Sequence, residues 1–171
     1  MNPLYAILLG AVVCERIAEL VLSTTHARTL LARGAVEHGR GHYPVMVALH
    51  TAFLFGCLLE PLLAHRPFVP LLGYPMLVLA LGAQAVRWWA ITTLGVHWNT
   101  RVIVLPNSER IRGGPYRIFP HPNYVAVVVE GFALPLVHGS WITALVFTAL
   151  NAWLLSVRIR AEDAALDAAT T

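Results

Sequence analysis

The sequence predicts an all-α integral membrane protein with about five transmembrane helices, forming a single domain over residues 1–171. Three observations carry this. First, the chain is 57% hydrophobic and 12% charged, with a mean hydropathy of +0.65, whereas a soluble domain carries about 25% charged residues. Second, its apolar residues gather into runs at 3–22, 43–63, 68–94, 122–137 and 140–157. A helix rising about 1.5 Å per residue crosses a hydrocarbon core of about 30 Å with about 20 residues. Third, every basic side chain is arginine, and arginine-rich and arginine-poor connections alternate: three in 23–42, one in 64–67, four in 95–121, two in the tail. This alternation predicts an outside N-terminus and a cytoplasmic C-terminus, with the polar, motif-bearing segments forming a cytoplasmic cofactor-binding region. The arginines flank apolar runs rather than forming one patch, so the pI near 9.2 reflects topology and not a nucleic-acid partner.

The first run, Pro3 to Leu22, carries Glu15, Arg16 and Glu19 and lacks a basic leader, which predicts a retained helix and not a cleaved signal. Glu15 and Glu19 share a helix face, with Arg16 three residues before Glu19. Such groups in a span face the bundle and find partners, either as an ion pair or as part of a site. Ser23 to His42 reads as a polar connection. His38 and His42 are separated by glycines at 39 and 41, which argues against a rigid metal pair, and no metal is expected. Tyr43 to Leu63 is broken only by His50, a candidate cavity residue, and Glu60. In Phe68 to Leu94, Pro70, Gly73 and Pro75 are expected to spoil the first turns. Gln84, Arg87, Trp88 and Trp89 then suit the membrane interface. Arg87 and Trp88, with His50, are the candidate substrate-binding residues. Cys14 and Cys57 stand alone in apolar runs and read as small hydrophobes.

Gly95 to Pro120 is polar except for the β-branched piece Val102–Val104. The fourth run is short for a span, about 20 Å as a helix. Ser140 to Val157 forms the fifth, and Arg158 to Thr171 reads as its helical extension.

Chemistry concentrates between Arg110 and Glu130. Pro122 suits the first position of a helix and His121 its cap. A helix start offers free N–H groups to an anion, and Arg112 and Arg117 add charged donors. Asn123 and Glu130, seven apart, share a face with Val127 between them. In the fifth helix, Asn151, Leu155, Arg158 and Glu162 form one stripe, with Arg160 and Asp163 beside it. An antiparallel hairpin of helices four and five would bring Arg158–Asp163 back to His121.

Gly114-Pro115-Tyr116-Arg117, His121-Pro122-Asn123-Tyr124 and Arg160-Ala161-Glu162-Asp163 together resemble the isoprenylcysteine carboxyl methyltransferase family. His42–Val47 through His50, and Trp98-Asn99-Thr100-Arg101, are similar to its short bacterial branch, associated with type III polyketide synthases. The resemblance spans nearly the whole chain. It departs at Pro120, where the family usually has arginine, and at Asp163, where glutamate is usual; Arg117 is a candidate replacement for the missing arginine.

The resemblance implies S-adenosyl-L-methionine as cofactor and a lipophilic acceptor arriving from the bilayer of a bacterial inner membrane. Tyr116, Arg117, His121, Pro122, Asn123, Tyr124, Glu162 and Asp163 would bind the cofactor. Glu130 is the candidate acceptor-side or cofactor-ammonium carboxylate, and Arg158 would steer an anionic nucleophile. The expected reaction is O-methylation of an alkylpyrone or alkylresorcinol-type polyketide supplied by a polyketide synthase. The alternatives are carboxyl methylation of a prenylated or other small carboxylate, a sterol-reductase-like NADPH enzyme, and a non-enzymatic membrane scaffold.

Overall fold

The structure, a computed structural model, describes residues 2–169. Five helices make up most of it: α1 (Pro3–Ala32), α2 (Tyr43–Leu63), α3 (Pro70–Leu94), α4 (Pro122–Leu136) and α5 (Trp141–Ala169). The one departure from all-α among the described residues is a short antiparallel pair, β1 (Val36–His38) with β2 (Val102–Val104), in which Val36 lies opposite Val104. Three segments, Arg40–Leu63, Pro70–His97 and Trp141–Ala169, are long and apolar enough to cross a membrane. Their outward side chains include Leu63, Leu71 and Val78, all largely exposed. Hydrocarbon, not water, is the solvent such a coat requires. The chain is an all-α integral membrane protein.

Two elements run differently from the sequence reading. α1 continues ten residues beyond Leu22, through what reads as a polar connection. Thr24, Thr25 and Thr29 return their hydroxyls to carbonyls one turn back, at 2.8–3.1 Å, so polarity here does not interrupt the helix. On the buried side of this extension, the Ser23 hydroxyl donates to Asn99 Oδ1 (2.9 Å) and accepts from the Thr100 amide (3.0 Å). His26 donates to the Trp98 carbonyl (2.8 Å). The extension thereby anchors the Trp98–Thr100 loop. In α3, Pro70 begins the helix and Pro75 lies inside it. Pro75 removes only the bond to the Leu71 carbonyl, in a first turn open to the surroundings, so the helix survives it. The tail is helical to Ala169; its last two positions lie outside the described residues.

At the end of the bundle remote from the β pair, Glu60 replaces a local cap for α5. Its carboxylate accepts from the Ile142 amide (3.1 Å), the Thr143 amide (2.8 Å) and the Thr143 hydroxyl (2.8 Å). It thus satisfies N–H groups that a helix start leaves unpaired and lies at the positive end of the helix dipole. α4 and α5 cross closely because Gly131 is bare: a Cβ there would run into the Phe147 ring.

A charged network ties α1, α3 and α4 together between the two ends. Arg87 bonds to Glu130, and both are buried. Arg16 lies 2.8 Å from Glu19 and 3.7 Å from Glu130. Gln84 accepts from Arg16 (3.0 Å) and Arg87 (3.1 Å) while donating to Glu15. Removing one member of a buried pair strands the other charge, at a cost of about 3–5 kcal/mol. Arg87 keeps only a longer contact to Glu19, 3.7 Å, so Glu130→Leu should lower stability by up to about that much, and the double replacement Arg87→Met/Glu130→Leu should recover most of it. Thermal unfolding in detergent checks this; an undiminished midpoint in Glu130→Leu would contradict a structural role.

Candidate functional site

The site forms at the end of the bundle where α4 begins and α5 runs past the β pair. The chain reaches it through a tight turn at Gly114, whose φ is 52°. This left-handed conformation favours glycine, and a Cβ there would collide with Thr93 and Trp89 of α3. Pro115 is buried in the following 3-10 turn, Gly114–Arg117. Pro122 opens α4 behind His121, in the N-cap position.

Antiparallel α4 and α5 then bring two sequence-distant groups together. The Arg158 Nε–H donates to the Tyr124 hydroxyl at 2.7 Å, and that hydroxyl donates to Glu162 Oε2. On the far side of Glu162, His121 Nδ1 lies 3.7 Å from Oε1, and His121 Nε2 is 3.3 Å from Asp163. The His121 and Tyr124 rings stack, with centroids 5.3 Å apart. Arg110 closes the outer edge, 3.2 Å from Asp163 and 3.1 Å from Asp167. These contacts make one continuous polar chain, from a guanidinium inside the bundle to a guanidinium at its surface.

Two cavities meet at this chain. The outer one, about 150 Å³, is bordered by Tyr116, His121, Asn123, Tyr124 and Glu162, with β2 on its other side. The inner one, about 140 Å³ and mostly apolar, runs among α1, α2, α4 and α5 and includes Met46, His50, Arg87, Asn151 and Leu155. Trp98, Asn123, Tyr124 and Arg158 belong to the walls of both. Leu20 and Val47, more than 40% exposed, also border the inner cavity, which places its mouth on the apolar outer surface between α1 and α2.

Six predicted residues thus come together on the outer cavity: Tyr116, His121, Asn123, Tyr124, Arg158 and Glu162. Asp163 stands behind His121, and Pro122 is buried beneath the helix start. His50 and Arg87 reach the inner cavity. Three residues do not arrive where the sequence reading puts them. Arg117 is exposed at the end of its turn and borders neither cavity, since its neighbour Tyr116 takes the inward position; it does not replace the arginine missing at Pro120. Trp88 faces outward and donates to Glu15, because adjacent helical residues point about 100° apart and Arg87 holds the inward direction. Glu130 lies two turns deeper than Asn123, bound to Arg87, and touches neither of the two large cavities. Trp98, Met46 and Asn151 were not among the predicted site residues. The Asn151–Arg158 stripe was the signal available for Asn151.

The outer cavity offers complementary charge. Arg158, His121 when protonated and the start of α4 can meet an anion; Glu162 can meet a cation or a diol; Tyr116 and Trp98 supply aromatic surface. Asn123 Oδ1 is buried with no hydrogen-bond partner among the described residues, an acceptor left for a donor such as an amino group.

The hydrogen bond and charge of Glu162 raise the pKa of His121 above its ordinary 6.5, against the opposing effect of burial. The resulting stabilisation is complete below pH 6.5 and is lost as pH rises through the raised value. The stability gap between the native protein and His121→Gln should therefore narrow from mildly acidic to alkaline pH. A nitrogen-15 titration of the ring should place its midpoint above 6.5; a midpoint below that value would contradict the pairing.

The model of the isoprenylcysteine carboxyl methyltransferase (ICMT) family matches residues 76–168, the segment from within α3 to the last turn of α5. The chain is 37% identical over 164 residues to the uncharacterized protein YpbQ of Bacillus subtilis, covering 95% of this chain and 96% of the relative. It is 26% identical over 160 residues to an uncharacterized protein of Haemophilus influenzae, covering 92% and 91%. No solved structure matches significantly. The family model covers more than half of the chain, which therefore belongs to the isoprenylcysteine carboxyl methyltransferase family of membrane-bound, S-adenosylmethionine-dependent methyltransferases.

Proposed function

We propose that this protein methylates an oxygen of a long-chain lipophilic acceptor, at the cytoplasmic side of a bacterial inner membrane that it crosses five times with its N-terminus outside. The observation that carries the reading is the shared wall: a polar cavity at the bundle end and an apolar one within it meet at Tyr124 and Arg158. Family membership supports methyl transfer over the reductase and scaffold alternatives.

In this reading the outer cavity holds S-adenosylmethionine, which supplies a methyl group made electrophilic by the sulfonium. Glu162, Asp163 and His121 bind its polar groups, with Tyr116 and Asn123 alongside. The acceptor enters from the bilayer past Leu20 and Val47, with its tail in the apolar cavity. Arg158 is suited to hold the reacting oxygen. Its Nε is engaged by Tyr124, its Nη1 meets only the Met46 sulfur at 2.8 Å, and no carboxylate among the described residues pairs with it directly. A buried guanidinium without an ion partner favours an anionic guest. Alignment of an oxygen with the methyl carbon is the main requirement of the reaction, and positioning alone can supply about 7–11 kcal/mol. An alkylpyrone or alkylresorcinol-type polyketide, made by a partner synthase, is the first candidate acceptor. A prenylated carboxylate is the second, favoured by the unpaired charge of Arg158.

Two replacements separate the roles. Glu162→Gln should weaken S-adenosylmethionine binding about tenfold, the effect of losing about 1.4 kcal/mol, as read by calorimetry. Arg158→Met should keep most of that binding, yet lower labelled-methyl transfer to pentadecylresorcinol in liposomes about 100-fold, as for loss of one oxyanion donor. Wild-type binding and turnover in both variants would sink the assignment.

A further inference from the structure

We propose that His50 is the proton acceptor of the reaction, so that the inner cavity serves a hydroxyl-bearing acceptor, a phenol or an enol, rather than a free carboxylate. This rests on the methyltransferase reading and adds to it the residue that ionises the acceptor. His50 sits in the middle of α2, and its Nδ1 is 2.9 Å from the Met46 carbonyl. A carbonyl oxygen can only accept, so Nδ1 carries a proton and the neutral ring keeps its lone pair on Nε2. Three cations and two carboxylates face this region from the surrounding helices: Arg16 and Glu19 from α1, Arg87 from α3, Glu130 from α4 and Arg158 from α5. Both carboxylates are already bonded to arginine, Glu19 to Arg16 and Glu130 to Arg87, so neither is free to take a proton from a guest and the imidazole is the available base.

The ring is also held in place and open to the cavity. It meets Phe147 edge-on, centroids 5.2 Å apart. It belongs both to the inner cavity and to a smaller one of about 30 Å³ that continues beside Phe53 and Val127. Nδ1 is taken by the Met46 carbonyl, and no hydrogen bond engages Nε2 among the described residues. Met46, one turn from His50, touches Arg158. Base and guanidinium therefore flank the same turn of α2, across which side chains lie about 5–6 Å apart.

This pairing suits an acceptor that must lose a proton. A carboxylate is ionised already and would present negative oxygens to a lone pair; a phenol, with a pKa near 10, needs a base. The acceptor O–H bond breaks with its electron pair left on oxygen and its proton on Nε2, while Arg158 meets the developing charge. Oxygen then takes the methyl group, the former carbon–sulfur pair stays on the donor sulfur, and the imidazolium releases its proton to water.

The test compares the wild type with His50→Gln and His50→Phe in nanodiscs, using pentadecylphenol and palmitate as probes. Pentadecylphenol without cofactor should shift the nitrogen-15 resonance of His50 Nε2, and palmitate should not. With S-adenosylmethionine, kcat for pentadecylphenol should fall about 100-fold or more in both variants, the scale of general-base catalysis. KM should rise only for His50→Phe, because glutamine still accepts a hydrogen bond. The wild-type rate should fall toward acid as the imidazole protonates, and His50→Gln should lose that limb. Should His50→Phe not fold, His50→Gln and the two-probe comparison decide. Equal kcat/KM for palmitate and pentadecylphenol, or undiminished kcat in a folded His50 variant, overturns the role of His50 while leaving methyl transfer standing. Absence of S-adenosylmethionine binding by the wild type overturns the methyltransferase reading and this inference with it.

Discussion

The bonded pair of Arg87 and Glu130 is the contact on which the interior depends. It joins α3 to α4 inside an apolar bundle, where an unpaired charge is costly. Arg16 and Glu19 extend it to α1, a helix whose other apolar side chains mostly face outward. Three helices are thus held by a constraint of geometry as well as of charge, because a slip along any helix would strand a buried ion. The inner cavity lies against this network, with Arg16, Glu19 and Arg87 among its walls. The chamber is thus apolar along its sides and closed by a polar, ion-paired floor.

At the bundle end, the organising group is Glu162. It accepts from Tyr124, which in turn accepts from Arg158, and it raises the pKa of His121. The same carboxylate therefore orients a residue shared by both cavities and sets the charge at the helix start. Asp163 and Arg110 extend this order to the surface. The division of labour follows: ion pairs inside the bundle fix helix positions, and ion pairs at its end shape a site for polar ligand groups. Glu60, at the opposite end, is also structural, since its oxygens are occupied by the first N–H groups of α5.

Which face a charged residue serves was less legible than which residues are charged. Glu130 shares a helix face with Asn123, as seven-residue spacing requires, but seven residues also separate them by about 10 Å along the axis. That places Glu130 beside Arg87 and beyond the cofactor end. Arg87 and Trp88 are neighbours in sequence and interfacial in type, yet only one can turn inward. Arg117 is close in sequence to His121 but turned out by its position after Tyr116. The polar composition of Ser23–Ala32 concealed a helix whose hydroxyls satisfy its own backbone. Each of these outcomes depends on partners from another helix or on an orientation that spacing alone does not specify.

By itself, the sequence determined the membrane class, the main apolar helices, the cap at His121–Pro122 and the return of Arg158–Asp163 to it. These follow from hydropathy, from the missing N–H of proline and from helical periodicity, all local properties. Only the tertiary structure decided that Arg87 would neutralise Glu130, that Arg158 would stand between two cavities, and that His50 would border the inner one. Those facts depend on which helix faces which, and at what depth. In a low-dielectric interior that choice is governed by the need to pair each buried charge, and pairing is a property of the assembled bundle rather than of any one segment.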